Sequence, residues 1–331
     1  MKYLIIGLGS MGKRRIRNLK ALGEEKIAGY DIREDRLKEA TDKYGLLIYD
    51  SLEKAINDFS PDIFIISVWP DKHMDYAFIG LENNIHCFIE ASVGDEERVL
   101  ALSEKAKKSD VFFMPSCTMR YYPGPREIRK ILNEKVIGEV LNLNYHSGQY
   151  LPDWHPWEDI NDYYVSNRLT GGCREIVPFE LTWINEIFGT PNVIAAMKCK
   201  LTDIDADIDD IYHCLLIYNN KIICNLTVDV IARPKAVREM RILGTKGMIE
   251  WSDENNLLRY CNTKTKNWIN INLEKGTMEK NYIRPEEPYI RELSDFIDSV
   301  TSKNKKLFPN DLEEDYSILT ILNEIEKKCE L

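Results

Sequence analysis

The first 120 residues alternate short apolar runs with longer stretches in which apolar and polar positions mix. Nearly continuous apolar runs are typical of strands in a parallel sheet that is covered on both faces. The stretches between them have the length and spacing of helices, and this alternation predicts right-handed βαβ units. The predicted strands span residues 2–7, 26–30, 46–49, 62–68, 86–90 and 111–115, and the predicted helices lie near 12–22, 34–44, 51–58, 73–83 and 95–108.

The pattern changes after Tyr122, where Pro123-Gly124-Pro125 predicts a break. Long runs with alternating apolar positions follow, separated by turn signals such as Asn219-Asn220, and they predict an antiparallel meander. The elements predicted beyond the break are a helix over 126–134, a strand from 138 to about 147, a polar aromatic loop over 148–171, a helix over about 175–188, strands over 192–201, 211–218, 221–232, 236–243, 247–252 and 257–272, and helices near 287–302 and 309–329.

These elements predict an α/β protein in which a parallel sheet is followed by an α+β domain with a large, open, mostly antiparallel sheet. A chain of 331 residues has room for two domains of about 150 residues each. We expect the domains to span 1–122 and 123–331, and we leave open that the last helices pack back on the first domain. No helices remain to cover one face of the second sheet, which favours a homodimer or homotetramer through it.

The charge balance narrows the classes of partner. The chain carries 54 acidic and 44 basic residues, for a formal net charge of −10. A negative protein repels phosphate backbones, so we expect no nucleic-acid partner. The longest apolar run, Ile63–Trp69, is too short to span a bilayer, so we expect no membrane partner.

The cysteines and histidines bear on location and on metals. The eight cysteines include no CxxC pair, and several lie inside apolar runs, which is typical of a reducing compartment. The N-terminal residues lead directly into a glycine turn, without the profile of a signal peptide. Both observations predict a cytoplasmic protein. The five histidines form no HxxxH or HExxH pair, so we expect no metal site.

The segment Gly7-Leu8-Gly9-Ser10-Met11-Gly12 follows the first predicted strand and opens the first predicted helix. In this context the first glycine permits a tight turn, the second permits close approach of a pyrophosphate, and the third lets helix and strand pack. The helix N-terminus offers backbone amides and a positive dipole end to the phosphates. The pattern is typical of a Rossmann dinucleotide-binding domain.

Asp31 ends the second predicted strand. A carboxylate at this place accepts hydrogen bonds from a ribose 2′-hydroxyl and repels a 2′-phosphate, so NAD is the favoured cofactor. Arg33 and Arg36 leave NADP open. The candidate cofactor-binding residues from this pattern are Gly7, Gly9, Ser10, Met11, Gly12, Asp31 and Arg33.

Together with several further segments, these residues resemble the Gfo/Idh/MocA family, named for glucose–fructose oxidoreductase and inositol dehydrogenase. Ser67-Val68-Trp69-Pro70 with His73 is similar to the family's strand end, proline and histidine. Arg120-Tyr121-Tyr122-Pro123 is similar to its Arg-Phe-x-Pro segment, and the resemblance covers nearly the whole chain. It implies an NAD(P)-dependent oxidoreductase with a Rossmann domain and a second domain whose open sheet commonly pairs in oligomers. It adds Ser67, Trp69, Pro70, His73 and Glu90 to the candidate cofactor-binding residues.

The chain departs from the family where the proton is usually transferred. The family's Glu-Lys-Pro motif is matched by Glu90-Ala91-Ser92, so its lysine is replaced by alanine. The helix that carries a histidine in one branch of the family has Phe179 at that position, and Ile176 replaces an aspartate. Hydride transfer from an alcohol needs a base for the hydroxyl proton, and neither alanine nor phenylalanine supplies one. Other groups therefore do this work, or the site only binds.

An aromatic loop offers such groups. Residues 145–168 place tyrosines and tryptophans beside carboxylates, a combination that suits a sugar. His155 is the favoured base because an unperturbed histidine titrates near pH 6.5, and Glu175 and Tyr163 are the other candidates. Each has a structural alternative, and Pro178 leads us to expect Glu175 in the loop just before the helix. The candidate substrate-binding residues are Arg120, Tyr122, Trp157, Tyr164 and Glu180.

Three functions remain open at this point. The leading hypothesis is an NAD(P)-dependent oxidoreductase that transfers a hydride between nicotinamide and a sugar, nucleotide-sugar or polyol derivative. The alternative is a catalytically inactive cofactor- or sugar-binding homologue that acts as a sensor or partner subunit. The third is a reductase of a non-sugar substrate, in which the cofactor does most of the chemistry.

Overall fold

The computed structural model describes residues 1–91, 94–155, 158–280, 282 and 284–329. The chain forms two compact units, each built from two segments. The first unit comprises Met1–Thr118 and Gly276–Tyr316, and the second comprises Met119–Lys275 and Ser317–Leu331. The simple division into 1–122 and 123–331 stays a prediction about domains.

The helices and strands are numbered along the chain. The strands are β1 (Tyr3–Ile6), β2 (Ile27–Tyr30), β3 (Leu47–Tyr49), β4 (Ile63–Ile66), β5 (His86–Ile89), β6 (Phe113–Pro115), β7 (Val140–Gly148), β8 (Pro191–Cys199), β9 (Ile211–Tyr218), β10 (Ile222–Asp229), β11 (Val237–Gly244), β12 (Gly247–Ser252), β13 (Leu257–Asn262) and β14 (Ile269–Ile271). The helices are α1 (Ser10–Ala21), α2 (Glu34–Tyr44), α3 (Leu52–Lys54), α4 (His73–Glu82), α5 (Glu96–Ala106), α6 (Pro123–Asn133), α7 (Cys173–Phe188), α8 (Glu287–Ser302) and α9 (Leu312–Lys328).

Within the described residues, the first unit holds a sheet of six parallel strands in the order β3-β2-β1-β4-β5-β6. The order changes direction at β1, which lies between β2 and β4. Every residue of β1 and β4 is buried, as expected for a parallel sheet with both faces covered. The predicted Rossmann sheet is confirmed.

The second unit holds an eight-stranded sheet, counted over the part of the chain that the structure describes, in the order β14-β13-β12-β11-β7-β10-β9-β8. Its neighbours are antiparallel except β7 and β10, which run parallel. Helix α7 packs on β9 and β10, and alternate strand residues such as Leu143 and Tyr145 are buried. The predicted large, mostly antiparallel sheet is confirmed, although the run predicted over 257–272 is divided between β13 and β14.

Among the predicted helix starts that differ from the structure, two involve prolines. Helix α6 begins at Pro123 rather than at residue 126, because a proline at the first helical position loses no intrahelical hydrogen bond. Helix α7 begins at Cys173, so Glu175 lies in its first turn and not in the preceding loop. Pro178 is inside the helix, where it has no amide to donate to the carbonyl of Arg174 and so costs the helix that one hydrogen bond.

Arg15 of α1 joins distant parts of the first unit. Its guanidinium is fully buried and donates to Glu90 at 2.6 and 2.9 Å and to Glu292 of α8 at 3.0 Å. Glu292 also accepts hydrogen bonds from Ser116, Cys117 and Thr118, which follow β6. Burial by itself would lower the pKa of Arg15, but the two carboxylates raise it overall. The segment 276–316 therefore completes the core of the first unit.

Among the described residues, no helix combines the length and the apolar character that a membrane crossing needs.

We expect the substitution Arg15→Leu to lower the free energy of unfolding by about 3–5 kcal/mol, because two buried carboxylates lose their cation. Chemical denaturation measures this change. The control is Lys54→Ala, which removes an exposed ion pair with Asp50 at 3.5 Å and should change stability by less than about 0.5 kcal/mol. Equal effects of the two substitutions would contradict the role given to Arg15.

Candidate functional site

The glycine turn between β1 and α1 has no room for side chains at two positions. Gly7 has a φ of +92°, and a Cβ there would lie 2.6 Å from the carbonyl oxygen of Ser67. A Cβ on Gly12 would lie 1.9 Å from the carbonyl oxygen of Gly7. The turn is therefore closed by backbone packing, and it leads the chain into α1 at Ser10.

Asp31 stabilises this turn from the end of β2. It is 5% exposed, and its Oδ2 accepts a hydrogen bond from the amide of Leu8 at 2.7 Å. Its Oδ1 accepts from the amide of Arg33 at 2.9 Å. The Arg33 side chain is paired with Asp35, and Nη1 of Arg36 lies 3.9 Å from Oδ2 of Asp31. The carboxylate thus holds two backbone amides next to one cation.

The turn fits the diphosphate of a dinucleotide. At Gly9 the backbone is extended, with a φ of −69°. The atom nearest to a Cβ there would be Nη1 of Arg36, at 3.3 Å, which belongs to a flexible side chain. The space next to Gly9 is therefore limited by the guanidinium of Arg36 and not by backbone atoms. The amides at the start of α1, at Ser10 and Met11, would hold the phosphates there.

The other predicted cofactor residues follow β4 and β5 in the chain. Trp69 is 45% exposed, whereas the adjacent Pro70 is buried. His73 is 1% exposed, and its Nε2 lies 2.9 Å from the carbonyl oxygen of Val68, so Nε2 donates. Burial lowers the pKa of His73 and keeps it neutral. Glu90 is occupied by Arg15 and accepts from Oγ of Ser67 at 3.3 Å.

In the second unit, the loop after β7 and the start of α7 bring five side chains together, here named the aromatic–carboxylate cluster. The rings of His155 and Tyr163 stack at 4.9 Å, and Nδ1 of His155 lies 3.5 Å from Oε2 of Glu158. The ring of Tyr164 meets that of Tyr163 edge to face at 6.0 Å. The hydroxyl of Tyr164 donates to Oε1 of Glu175 at 2.7 Å. The three predicted catalytic residues, His155, Tyr163 and Glu175, thus belong to one cluster.

Glu175 has the properties of a group that exchanges protons. Its Oε2 is buried and has no hydrogen-bond partner among the described residues. Burial raises the pKa of the Glu175 carboxyl to about 7, although the hydrogen bond from Tyr164 lowers it. A carboxyl with this pKa gives up and takes back a proton readily at neutral pH.

Tyr163 is the most deeply buried hydroxyl of the cluster. The residue is 5% exposed, and within the described residues its hydroxyl oxygen has no hydrogen-bond partner. Burial raises the pKa of Tyr163 strongly, and the charges of Glu158 and Glu175 raise it further. The hydroxyl therefore stays protonated, which makes it a donor rather than a base.

The predicted substrate residues are distributed differently. Tyr164 belongs to the cluster, and Trp157 lies outside the described residues. Arg120 is buried and donates to the carbonyl oxygen of Thr182, and Tyr122 is 2% exposed. Their roles in substrate binding stay predictions.

Glu180 is fully buried in the second unit. It accepts from Tyr145 at 2.6 Å, from Ser147 at 2.8 Å and from Arg238 at 2.7 and 3.1 Å. These contacts support a structural role, and a substrate role for Glu180 stays a prediction. The partnership with Arg238 was not foreseen, because 58 residues separate the two in the chain.

Glu158 is a member of the cluster that the sequence did not single out. A signal was present, because Glu158 follows His155 by three residues in the aromatic loop. Over the described ranges, no group of three or more His, Cys, Asp or Glu side chains has the arrangement that could hold a metal ion.

A dinucleotide-binding turn on a parallel sheet, in a chain whose second unit also holds a buried carboxyl, is typical of nicotinamide-dependent oxidoreductases. Residues 1–114 match the family model described as "Oxidoreductase family, NAD-binding Rossmann fold". Residues 126–250 match the model of the "GFO/IDH/MocA C-terminal domain". The two matches together cover more than half of the chain. The chain belongs to the Gfo/Idh/MocA family, and its first unit contains an NAD-binding Rossmann domain.

Curated relatives include the inositol 2-dehydrogenase of Salmonella typhimurium, which is 27% identical over 166 residues. That match covers 46% of this chain and 48% of the relative, so the chain matches about half the length of this protein. The myo-inositol 2-dehydrogenase of Thermotoga maritima is 26% identical over 158 residues, which cover 46% of each chain.

Among solved structures, an oxidoreductase from Agrobacterium radiobacter in complex with NAD⁺, L-tartaric acid and magnesium has the same fold. It superposes with a TM-score of 0.85 at 14% identity, covering 99% of this chain and 96% of that one. At this level of identity the likeness establishes the fold alone.

We expect Gly9→Ala to weaken NADH binding at least about tenfold, because a methyl group fills the space through which a phosphate approaches the backbone. The melting temperature should stay close to that of the wild type, since only the flexible Arg36 side chain is near. Fluorescence titration with NADH and thermal unfolding measure the two effects.

Gly12→Ala is the matched control, because its methyl group would collide with the backbone of Gly7 and should lower both NADH affinity and the melting temperature. A Gly9→Ala protein that binds NADH as the wild type does would contradict the placement of the diphosphate.

Proposed function

We propose that this protein is an NAD(P)-dependent oxidoreductase that transfers a hydride between nicotinamide and a carbinol carbon of a sugar, nucleotide-sugar or polyol derivative. The observation that carries the proposal is the buried carboxyl of Glu175, with a pKa of about 7, one oxygen on Tyr164 and the other buried and unpartnered among the described residues. It belongs to a chain whose family is defined by oxidoreductases.

Glu175 is the proposed proton acceptor. When an alcohol is oxidised, the carbinol carbon loses a hydride and its hydroxyl group loses a proton, and a carbon–oxygen double bond forms. Oε2 of Glu175 takes that proton, while the hydrogen bond from Tyr164 to Oε1 keeps the carboxyl oriented. In the reverse direction the protonated Glu175 returns the proton to the carbonyl oxygen. The bound nicotinamide supplies the hydride acceptor or donor.

The remaining cluster residues orient the substrate. The stacked rings of His155 and Tyr163 present flat faces, which suit the C–H surface of a sugar ring. The hydroxyl of Tyr163 is a buried donor. We therefore propose a supporting role for His155, which the sequence favours as the base, and assign the proton transfer to Glu175.

A binding-only protein is the second candidate function. Ala91 and Phe179 stand where the family has its lysine and histidine, and a chain that had lost its base would retain the cofactor turn. Binding of NADH without turnover of any sugar, nucleotide sugar or polyol would favour this candidate over the enzyme. Failure to bind either NADH or NADPH would argue against both.

Assembly through the second sheet is part of the proposal. Ile194, Met197 and Ile223 are between 48% and 65% exposed on β8 and β10, and association of two copies would remove such apolar side chains from water. A homodimer or homotetramer and a cytoplasmic location both stay predictions.

We expect Glu175→Gln to lower kcat/KM for alcohol oxidation at least about 100-fold, because glutamine cannot accept a proton. For the wild type, log kcat/KM should rise with pH up to about 7 and then level off, since Glu175 must be deprotonated to act. Steady-state rates at 340 nm between pH 5 and 9 measure both effects. His155→Asn is the comparison variant, and its log kcat/KM should still rise with pH up to about 7. A Glu175→Gln protein that retains this pH profile would refute the assignment.

Tyr164→Phe should move the same pH profile to higher values. The Tyr164 hydroxyl stabilises the ionised carboxyl and so lowers the pKa of Glu175. Without it the pKa rises, and a higher pH is needed before oxidation reaches its plateau. At a pH high enough to reach the new plateau, kcat/KM should recover most of the wild-type value. A shift to lower pH would contradict the hydrogen bond as the cause.

A further inference from the structure

Within the first unit, a side chain from late in the sequence reaches the cofactor turn. The hydroxyl of Tyr282 donates a hydrogen bond to the carbonyl oxygen of Ser10 at 2.8 Å, although 272 residues separate the two in the chain. Ser10 is the first residue of α1. A carbonyl oxygen has two lone pairs, so that of Ser10 accepts this bond in addition to one from the helix. Tyr282 is therefore attached to the backbone at the point where the turn becomes helix.

The residues at the two ends of the segment 276–287, which carries Tyr282, are bound to each other. The amide of Glu286 donates to the carbonyl oxygen of Thr277 at 3.0 Å. The amide of Thr277 donates to the two carboxylate oxygens of Glu287 at 2.8 and 2.7 Å. A Cβ on Gly276 would lie 2.4 Å from Cβ of Pro285. The ends are thus held closely together, which limits the positions open to Tyr282 between them.

The ring of Tyr282 is held by two cations of α1. The guanidinium groups of Arg14 and Arg17 lie 4.7 and 4.3 Å from the centre of the ring, where a cation is attracted to an aromatic face. Both arginines donate to Glu286, at 3.2 and 2.8 Å. Glu286 is 8% exposed and also accepts from Asn18 at 2.8 Å. A buried carboxylate therefore fixes the two cations that fix the ring.

The bond to Ser10 acts on the amide of the next residue. The carbonyl group of Ser10 and the N–H group of Met11 belong to one planar peptide unit and point in opposite directions. The first amides of a helix point out of its N-terminus and have no partner within the helix. Holding the carbonyl oxygen of Ser10 therefore fixes the direction in which Met11 offers its N–H group. A hydrogen bond to the carbonyl also polarises the unit and makes that N–H a stronger donor.

The cations of α1 make the direction of its amides more important. Each of the four that follow the turn forms an ion pair with a glutamate: Lys13, Arg14, Arg15 and Arg17. Their charges are thus offset by carboxylates of the protein. A diphosphate at the turn depends correspondingly more on backbone amides at the start of the helix.

We propose that Tyr282 is a positioning residue for the cofactor: by holding the carbonyl oxygen of Ser10, it orients and polarises the amide of Met11 that binds the diphosphate. The effect passes through one peptide unit, so Tyr282 acts without touching the cofactor. The inference concerns cofactor binding. It therefore applies to the proposed oxidoreductase and to a binding-only protein alike.

The substitution Tyr282→Phe keeps the ring next to Arg14 and Arg17 and removes only the hydroxyl group. We expect the Kd for NADH to rise about threefold to tenfold, which is the range expected for one hydrogen bond. ADP-ribose carries the same diphosphate without the nicotinamide, and its Kd should rise by the same factor. Fluorescence titration with NADH and calorimetric titration with ADP-ribose measure the two changes, and thermal unfolding should show little change in melting temperature.

Tyr44→Phe is the matched control. The hydroxyl of Tyr44 lies 3.4 Å from Nη1 of Arg17, and the hydroxyl of Tyr282 lies 3.5 Å from the same atom. The control thus removes an equivalent hydroxyl group from Arg17 but leaves Ser10 unchanged, and the Kd for NADH should stay at the wild-type value. A Tyr282→Phe protein that binds NADH as tightly as the wild type does, or an equal loss in Tyr44→Phe, would overturn the proposal.

The amide of Met11 provides a readout that a merely structural role of Tyr282 would not change. Protein labelled with nitrogen-15 methionine gives a small set of amide signals in a heteronuclear NMR spectrum, and Met11→Leu identifies the signal of Met11 by its loss. A hydrogen bond to the preceding carbonyl deshields the amide nitrogen. In the cofactor-free protein, Tyr282→Phe should therefore move the Met11 signal upfield, and Tyr44→Phe should not. An unmoved Met11 signal in Tyr282→Phe would refute the role given to its hydroxyl group.

These measurements separate this inference from the proposed function. If the protein binds NADH but oxidises no alcohol, the proposed function fails, while the two Kd values and the Met11 signal still test the role of Tyr282. A wild-type protein that binds neither NADH nor ADP-ribose would overturn the inference.

Discussion

The guanidinium of Arg15 is the constraint on which the first unit depends. It is enclosed by Glu90 and Glu292 and lies over the ring of Phe88 at 4.5 Å. Glu90 also accepts a hydrogen bond from Ser67, and the carbonyl oxygen of Ser67 limits the space at Gly7. Glu90 and Ser67 therefore connect this buried cation to the cofactor turn. One guanidinium facing two carboxylates leaves an excess negative charge, and burial raises the pKa of Glu292. The turn is thus stabilised by an interaction with a large desolvation cost.

Much of the fold could be predicted because its signals are local. The apolar runs locate β1 and β4 to within two residues, and the glycines and Asp31 identify the turn. What could not be predicted depends on contacts between distant residues. Nothing near Arg15 indicates that its partner is Glu292, 277 residues further on. For the same reason the return of 276–316 to the first unit was left open. Helix starts were misplaced where proline was taken as a break, although a proline near a helix start costs few hydrogen bonds.

The candidate site was predictable in its composition but not in its division of roles. Residue types and the family resemblance directed attention to His155, Tyr163 and Glu175, and all three lie in one cluster. Which of them is suited to exchange a proton depends on burial. The burial of a single carboxyl oxygen cannot be derived from the amino-acid sequence. The start of α7 supports the proposal for Glu175: with Cys173 as the first helical residue, Glu175 lies in the first turn, where it accepts a hydrogen bond from Tyr164.

The two-segment construction of the first unit also has a consequence for biosynthesis. The ribosome releases Arg15 and Glu90 long before Glu292. At roughly 5–20 residues per second the delay is on the order of tens of seconds. During this interval all the strands of the N-terminal sheet have been made, but α8 has not. Glu292 of α8 is the second carboxylate next to Arg15, and it accepts the hydrogen bonds from Ser116 and Cys117 after β6. Until α8 has been made, Phe88 lacks its ring contact with Phe296, so the apolar core of the first unit cannot be completed during this interval.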